Sequence, residues 1–419
     1  MDDLYLPFPL RRSGWWRAYV RLRRTLDSDA SAAQVARAWA RLSRALVGAG
    51  AASLAAAVAE ALVSGEPPLG RLGPAARGEE LTDGIRELLA RDLEALVKAA
   101  GFAARKDGTE GTAGLPRLDE LAPPHPDPGV RALTAAVSDG DVETVMVLYL
   151  EASRTRGGGP AALHTALTWD GARLRPVAAP DLADWDALFG LDSQLRRLAA
   201  NTEALLAGRP AHDALLYGAR GSGKSTAVRG LLTRFAASEL RLVEVRTGDL
   251  AGLPDLLEGL RHKPQAFVLY VDDLSFDVDD PTYRPLKSLL EGGLAARPAN
   301  VVLYATSNRR HLLGERFSDR PALEDDDVSS WDTQHERLAL ADRFGLVITF
   351  PDATQRRYLD LVRGLAERHG VLASADEESA LRFAEWGNGY SGRTARQFVD
   401  TLRQSAGNSA DGRARQPGG

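Results

Sequence analysis

The stretch ALLYGARGSGKST, residues 214–226, decides the fold. Its apolar opening, Ala214–Tyr217, reads as a short strand. The residues after it, TAVRGLLTRFAA (226–237), read as a helix. Between them Gly218, Gly223, Lys224 and Ser225 satisfy G-x-x-x-x-G-K-[ST]. Glycines at these positions let backbone N–H groups turn inward around phosphate oxygens. Ala219, Arg220, Gly221, Ser222 and Thr226 complete the expected phosphate-binding set. Lys224 is placed to reach terminal phosphates, and the Ser225 hydroxyl to ligate Mg²⁺. Lysine occurs only at positions 98, 106, 224, 263 and 287, so Lys224 stands out in an arginine-rich chain.

Working outward, short apolar runs alternate with helical stretches from about residue 185: LRLVEV, LPDLLEGLR, AFVLYVDD, NVVLYATSN and LVITF. Runs apolar throughout belong to a parallel sheet covered on both faces. One of them, VLYVDDLSF (268–276), stops on two aspartates. A phosphate site needs a further acid for its metal, and Mg²⁺ takes one or two carboxylates. Asp272, 48 positions after Lys224, fits a neighbouring strand end, where ligands of open α/β sheets bind. Asp273 then polarises the attacking water. The competing account is an Asp-rich turn closing a strand.

The order and spacing of these segments resemble the AAA+ ATPases over about residues 185–405. LFGLDSQ (188–194) is similar to the segment lying against the adenine, which adds Gly190 to the nucleotide-binding residues. GARGSGKS resembles Walker A and FVLYVDD resembles Walker B. VVLYATSN (301–308) resembles the sensor 1 strand, which implies that Asn308 orients water and the γ-phosphate. LADRFG (340–345) resembles the arginine-finger segment, with Arg343 the candidate. GYSGRTARQF (389–398) resembles the sensor 2 helix, with Arg393 the candidate and Arg396 in reserve. More narrowly, residues 271–277 and 290–312 resemble an uncharacterised bacterial AAA+ family, domain of unknown function 815. The resemblance implies a P-loop α/β core with a parallel sheet and a C-terminal helical lid, binding ATP with Mg²⁺ as a homo-oligomer in a ring or helical assembly. It departs from the usual motor pattern at Asp273, where glutamate is commoner.

Residues 1–160 carry helical periodicity and are expected to form a mostly helical N-terminal domain. Asp170-Gly171 lies between two short apolar runs, so 161–184 is expected to be a linker holding a small hairpin. The core is expected over 185–351, the lid over 352–405 and a disordered tail over 406–419. The run Ala45–Val63 reads as a packed helix, since its alanines contribute little transfer energy. RRSGWWRAYVRLRR (11–24) either meets an anionic surface or nucleic acid, or packs its aromatic face and solvates its charges. Arg309, Arg310 and the acidic stretch 323–336 are either contacts for a partner or solvated loops.

Net charge is −5 and the isoelectric point is near 5.9, so no global basic field is present. With no cysteine, disulfides, thiol catalysis and thiolate metal sites are excluded. The first ten residues lack the apolar segment of a signal peptide, and a cytoplasmic location without membrane insertion is expected. The expected function is ATP hydrolysis driving remodelling of an unknown protein or nucleic-acid client. The alternatives are an ATP-controlled binding switch with little turnover and a small-molecule P-loop kinase.

Overall fold

The computed structural model describes residues 10, 13–28, 30–64, 82–104, 125–274, 286, 289–290, 297–308, 343–352, 354–387 and 389–414. Arg309, Arg310, the acidic stretch 323–336 and the first three residues of LADRFG lie outside the described residues. The chain divides into two compact units, residues 1–164 with 262–265, and residues 165–261 with 266–419.

The described part of the first unit is helical: α1 Gly14–Leu26, α2 Ala32–Gly48, α3 Leu54–Ser64, α4 Asp83–Ala104, α5 Pro128–Asp139 and α6 Val142–Arg156. Helix α1 starts at Ser13, whose Oγ accepts from the Trp16 amide at 3.2 Å. It buries Trp15, Trp16, Tyr19 and Leu22. The aromatic residues of 11–24 are therefore core, and Arg17, Arg21 and Arg24 are exposed. The run Ala45–Val63 is not one helix. It breaks after Gly48, with Gly50 at φ 72°, a conformation open to glycine without steric penalty. Leu42, Leu46, Val58, Leu62, Leu93, Val137 and Tyr149 share one apolar core.

The second unit is built on a seven-stranded sheet: β1 Ala166–Trp169, β2 Leu174–Pro176, β3 Ala214–Tyr217, β4 Leu240–Val245, β5 Ala266–Val271, β6 Val301–Ser307 and β7 Leu346–Thr349. The order is β2-β1-β4-β5-β6-β3-β7. Only the β1–β2 hairpin is antiparallel. Segment 161–184 does contain a hairpin, but its strands extend the sheet, because β1 pairs with β4. Every residue of β5 and β6 is buried, as central parallel strands require. Helices α7 Asp192–Leu206, α8 Lys224–Arg234 and α9 Leu253–Leu260 follow. Edge strand β7 is covered by α7. Gln194 donates to the Thr349 carbonyl at 2.9 Å and Arg197 to the Val347 carbonyl at 3.0 Å.

Helices α10 Gln355–Arg368, α11 Glu377–Trp386 and α12 Gly392–Ala414 form a small lid. Its core includes Tyr358, Val362, Ala380, Ala384, Phe398 and Val399. The Tyr358 hydroxyl donates to the Ala380 carbonyl at 2.9 Å. Helix α12 continues to Ala414, through residues expected to form a tail. Extending an existing helix fixes one residue per new hydrogen bond, which needs no new nucleus. The architecture is an α/β P-loop fold, a mostly parallel sheet with a C-terminal helical lid. No described helix is long and apolar enough to cross a membrane.

Candidate nucleotide site

The sheet brings three strand ends together. Registers Tyr217↔Ser307 and Val271↔Ala305 set Gly218 beside Asn308 and Asp272 beside Thr306. The chain leaves β3 toward β4 on one side, while β7 lies on the other. This reversal opens the crevice at which α/β sheets bind ligands.

The loop is shaped by its glycines. Gly221 and Gly223 have φ 73° and 101°, and Gly223 caps α8. A Cβ on Gly218 would stand 2.3 Å from the Phe350 carbonyl oxygen. Gly218→Ala is therefore expected to destabilise the protein by about 1–3 kcal/mol through overpacking against backbone, measured by denaturant unfolding. Inside the loop Lys224 Nζ donates to the carbonyls of Gly218 and Ala219, each at 2.8 Å, and to Asn308 Oδ1 at 3.0 Å. Burial pulls the Lys224 ammonium below its ordinary pKa, while Asp272 and Asp273 pull it back up.

The two aspartates separate at once. Asp272 Oδ1 accepts from Ser225 Oγ at 2.7 Å and Thr306 Oγ1 at 2.6 Å. Burial raises the Asp272 carboxyl, but the hydrogen bonds, led by Thr306, outweigh it and hold the group below the ordinary range. Asp273 turns away. It has φ 52°, and is the one non-glycine at positive φ among the described residues. Its amide donates to Thr306 Oγ1 at 2.9 Å, and its Oδ1 accepts from Asn308 Nδ2 at 2.6 Å. Asn308 thus bridges Lys224 and Asp273. Aspartate tolerates the left-handed region better than most residues, and strain of this kind gathers at functional sites.

The lid meets the loop directly. The Gly392 amide donates to the Gly221 carbonyl at 3.0 Å. Ser391 Oγ accepts from the Thr394 amide at 3.0 Å, which caps α12 beside the loop. Together they bound a cleft of about 1020 Å³. Its apolar side includes Leu188, Phe189, Leu191, Leu361 and Tyr390. Its polar side includes Arg220, Lys224, Ser225, Asp272, Asp273, Asn308, Arg357, Arg393 and Arg396. Among the described residues Arg220, Arg357, Arg393 and Arg396 have no carboxylate partner.

Of the residues expected at the site, Arg220 to Thr226, Asp272, Asp273, Asn308 and Arg393 line this cleft, with Arg396 beside them. Gly218 and Ala219 contribute carbonyls behind it. Gly190 is in the turn between Phe189 and Leu191 but is not part of the lining, and neither is Arg343. Thr306, Tyr270, Arg357 and Ser391 were missed. Thr306 had a usable signal, standing two residues before Asn308 and directly across from the acid. Tyr270 stands two residues before Asp272 on β5, and Arg357 and Ser391 are brought in by long-range packing.

Among solved structures, the chain is similar to the Thermotoga maritima RuvB Holliday junction branch migration motor, with 18% identity and a TM-score of 0.36. The match covers 53% of this chain and 64% of that one. It is also similar to the Aeropyrum pernix ORC1 protein in complex with DNA, with 16% identity, a TM-score of 0.30 and coverage of 53% and 69%. The chain thus spans less than two thirds of the RuvB chain it matches. No curated protein matches it. Residues 162–406 match the family model described as protein of unknown function, DUF815, and the chain belongs to that family.

Proposed function

We propose that the chain binds ATP in this cleft with Mg²⁺ and hydrolyses it within a homo-oligomer, to drive rearrangement of a macromolecular client. The observation that carries the reading is one connected set of contacts. Asp273 joins Asn308, Asn308 joins Lys224, Ser225 joins Asp272, and Thr306 joins the two aspartates, all at 3.0 Å or less. The donor set fits the ligands. Ser225 and Asp272 offer the hard oxygens that would hold Mg²⁺, which takes its remaining ligands from phosphates and water. Held by Ser225 and Asp272, Mg²⁺ would supply positive charge that offsets the charge developing on the phosphates. The buried Ser222 hydroxyl has no partner among the described residues and suits a phosphate oxygen.

Each residue then has a task. Lys224 exchanges its loop carbonyls for β- and γ-phosphate oxygens. Asn308 orients the water and Asp273 accepts its proton as the γ-phosphoryl group transfers. Arg393, with Arg396 behind it, brings lid charge to the phosphates, and Leu188, Phe189 and Tyr390 enclose the base. Removing the cation facing the phosphates costs a charge-assisted hydrogen bond. Lys224→Ala is expected to weaken ATP binding by about 10- to 100-fold in calorimetry with Mg²⁺. Undiminished affinity would overturn the assignment.

A second reading, a binding switch with little turnover, is favoured by Asp273 itself. Its carboxylate is one methylene shorter than glutamate and tied to Asn308. Sustained phosphate release under steady-state conditions excludes the switch. A single bound ATP that persists supports it.

A further inference from the structure

The charge of this chain is unevenly placed. Residues 13–48 hold seven arginines and two aspartates, a net +5, in a chain whose net charge is −5. No lysine or glutamate occurs there. On α1 the exposed arginines are Arg17, Arg21 and Arg24, and on α2 they are Arg37, Arg41 and Arg44. Both sets follow i, i+4, i+7. Each forms one stripe on the side of its helix opposite the buried residues, which on α1 are Trp15, Trp16, Tyr19 and Leu22 and on α2 Val35, Ala38, Trp39, Leu42 and Leu46. Like charges at i, i+4 destabilise a helix, so neither stripe serves the fold. Among the described residues the one acid flanking these helices, Asp27, pairs with Arg23, which is outside the stripes. Small exposed residues, Gly14, Ala33 and Ala40, leave the guanidinium groups open to approach, although Arg44 Nε donates to the Ala40 carbonyl at 3.2 Å.

We infer that the α1–α2 pair binds the phosphate backbone of double-stranded nucleic acid, without reading its sequence. Along each helix the stripe advances in steps of about 6 and 4.5 Å, and flexible arginines can fit these to phosphates spaced about 3.4 Å apart along the axis on each strand. The other anionic surfaces fit less well. A membrane-surface helix needs apolar side chains beside its charges, and Val47 is the one large exposed hydrophobic on these two helices. Single-strand binding rests on stacking against aromatic rings, and Trp15, Trp16, Tyr19 and Trp39 are all buried. What remains exposed is guanidinium without a stacking platform. That is a backbone-contacting surface, which positions a duplex without specifying its bases. The inference does not depend on ATP binding or hydrolysis.

The test uses the full chain and labelled duplexes of about 30 base pairs, one DNA and one RNA, read by fluorescence anisotropy between about 50 and 200 mM salt. If all six arginines meet phosphates, affinity should fall about 10³-fold across that range, since each neutralised phosphate contributes about −0.9 to the log–log slope. The triple variants Arg17→Gln/Arg21→Gln/Arg24→Gln and Arg37→Gln/Arg41→Gln/Arg44→Gln should each bind more weakly and lose only about 40-fold over the same range. Glutamine is a good helix former, and like-charge repulsion is relieved, so both variants should unfold no earlier than wild type. The corresponding lysine triples should keep most of the binding. Tighter binding to one duplex than the other identifies the source of the backbone and supports the inference. It is overturned if neither duplex binds at low salt, or if both glutamine triples leave affinity and salt slope unchanged. Displacement of duplex by polyglutamate at equal charge, or binding only to phosphatidylserine vesicles, overturns it as well.

Discussion

Asp273→Asn is expected to bind ATP about as well as wild type and to hold it unhydrolysed, with turnover lower by about 10²–10⁴-fold. The substitution is chosen to leave the geometry alone. Asparagine tolerates the left-handed backbone that Asp273 adopts at φ 52°. Its Oδ1 can still accept from Asn308 Nδ2, the contact of 2.6 Å that orients the native side chain. Lys224, Ser225 and Asp272 are untouched, so phosphate and metal contacts persist. What disappears is the carboxylate able to accept a proton from water. The measurement is single-turnover phosphate release, with the nucleotide retained on the protein identified by chromatography. Wild-type turnover in this variant would remove Asp273 from the role and turn attention to another acid, such as Glu291, which lies outside the described residues.

Much of this site is legible in the chain because its chemistry is local. The phosphate-loop motif is nine consecutive residues, 218–226, that leave β3 and enter the first turn of α8. The aspartate pair is marked by an apolar run that ends on it. Asn308 follows another such run, and the register Tyr217↔Ser307 carries it to the loop. What the chain hides depends on non-local pairing. Nothing in LTWDGARL says that its first strand will hydrogen-bond to β4, some 75 residues on, so the segment reads as a linker. Thr306 holds both aspartates, and its one mark in the chain is its place two residues before Asn308. Ser391 looks like any helix cap until the lid is docked and Gly392 reaches the Gly221 carbonyl. Arg357 lines the cleft from α10, on a helix whose sequence announces only an amphipathic face, and burial lowers its pKa there. The break between α2 and α3 was readable in principle, because Gly48 and Gly50 stand where the apolar run is interrupted.

Arg343→Ala is expected to bind ATP nearly normally and to lose turnover by as much as about 10³–10⁵-fold, the range that arginine fingers supply in phosphoryl transfer. Sheet geometry supports action on a neighbouring subunit. Arg343 stands three residues ahead of β7, which runs parallel to β3 with Ala214↔Leu346 and Tyr217↔Thr349 in register. It therefore belongs with the amino ends of these strands, whereas the phosphate loop leaves their carboxyl ends. A strand of four residues is about 13 Å long, which separates Arg343 from its own phosphate loop and keeps it out of its own cleft. A cation in that position can stabilise charge on a γ-phosphate only across an interface between copies. Mixing separates this from a purely structural role. Arg343→Ala subunits have intact phosphate loops, and Lys224→Ala subunits have intact fingers. Each alone should be nearly inactive, and a co-assembled mixture should recover phosphate release at interfaces that combine the two intact halves. If Arg343 only supports the fold, the mixture stays as inactive as its parts and the Arg343→Ala variant unfolds at lower denaturant. Full activity in a strictly monomeric preparation of the wild-type chain would also exclude a finger supplied in trans.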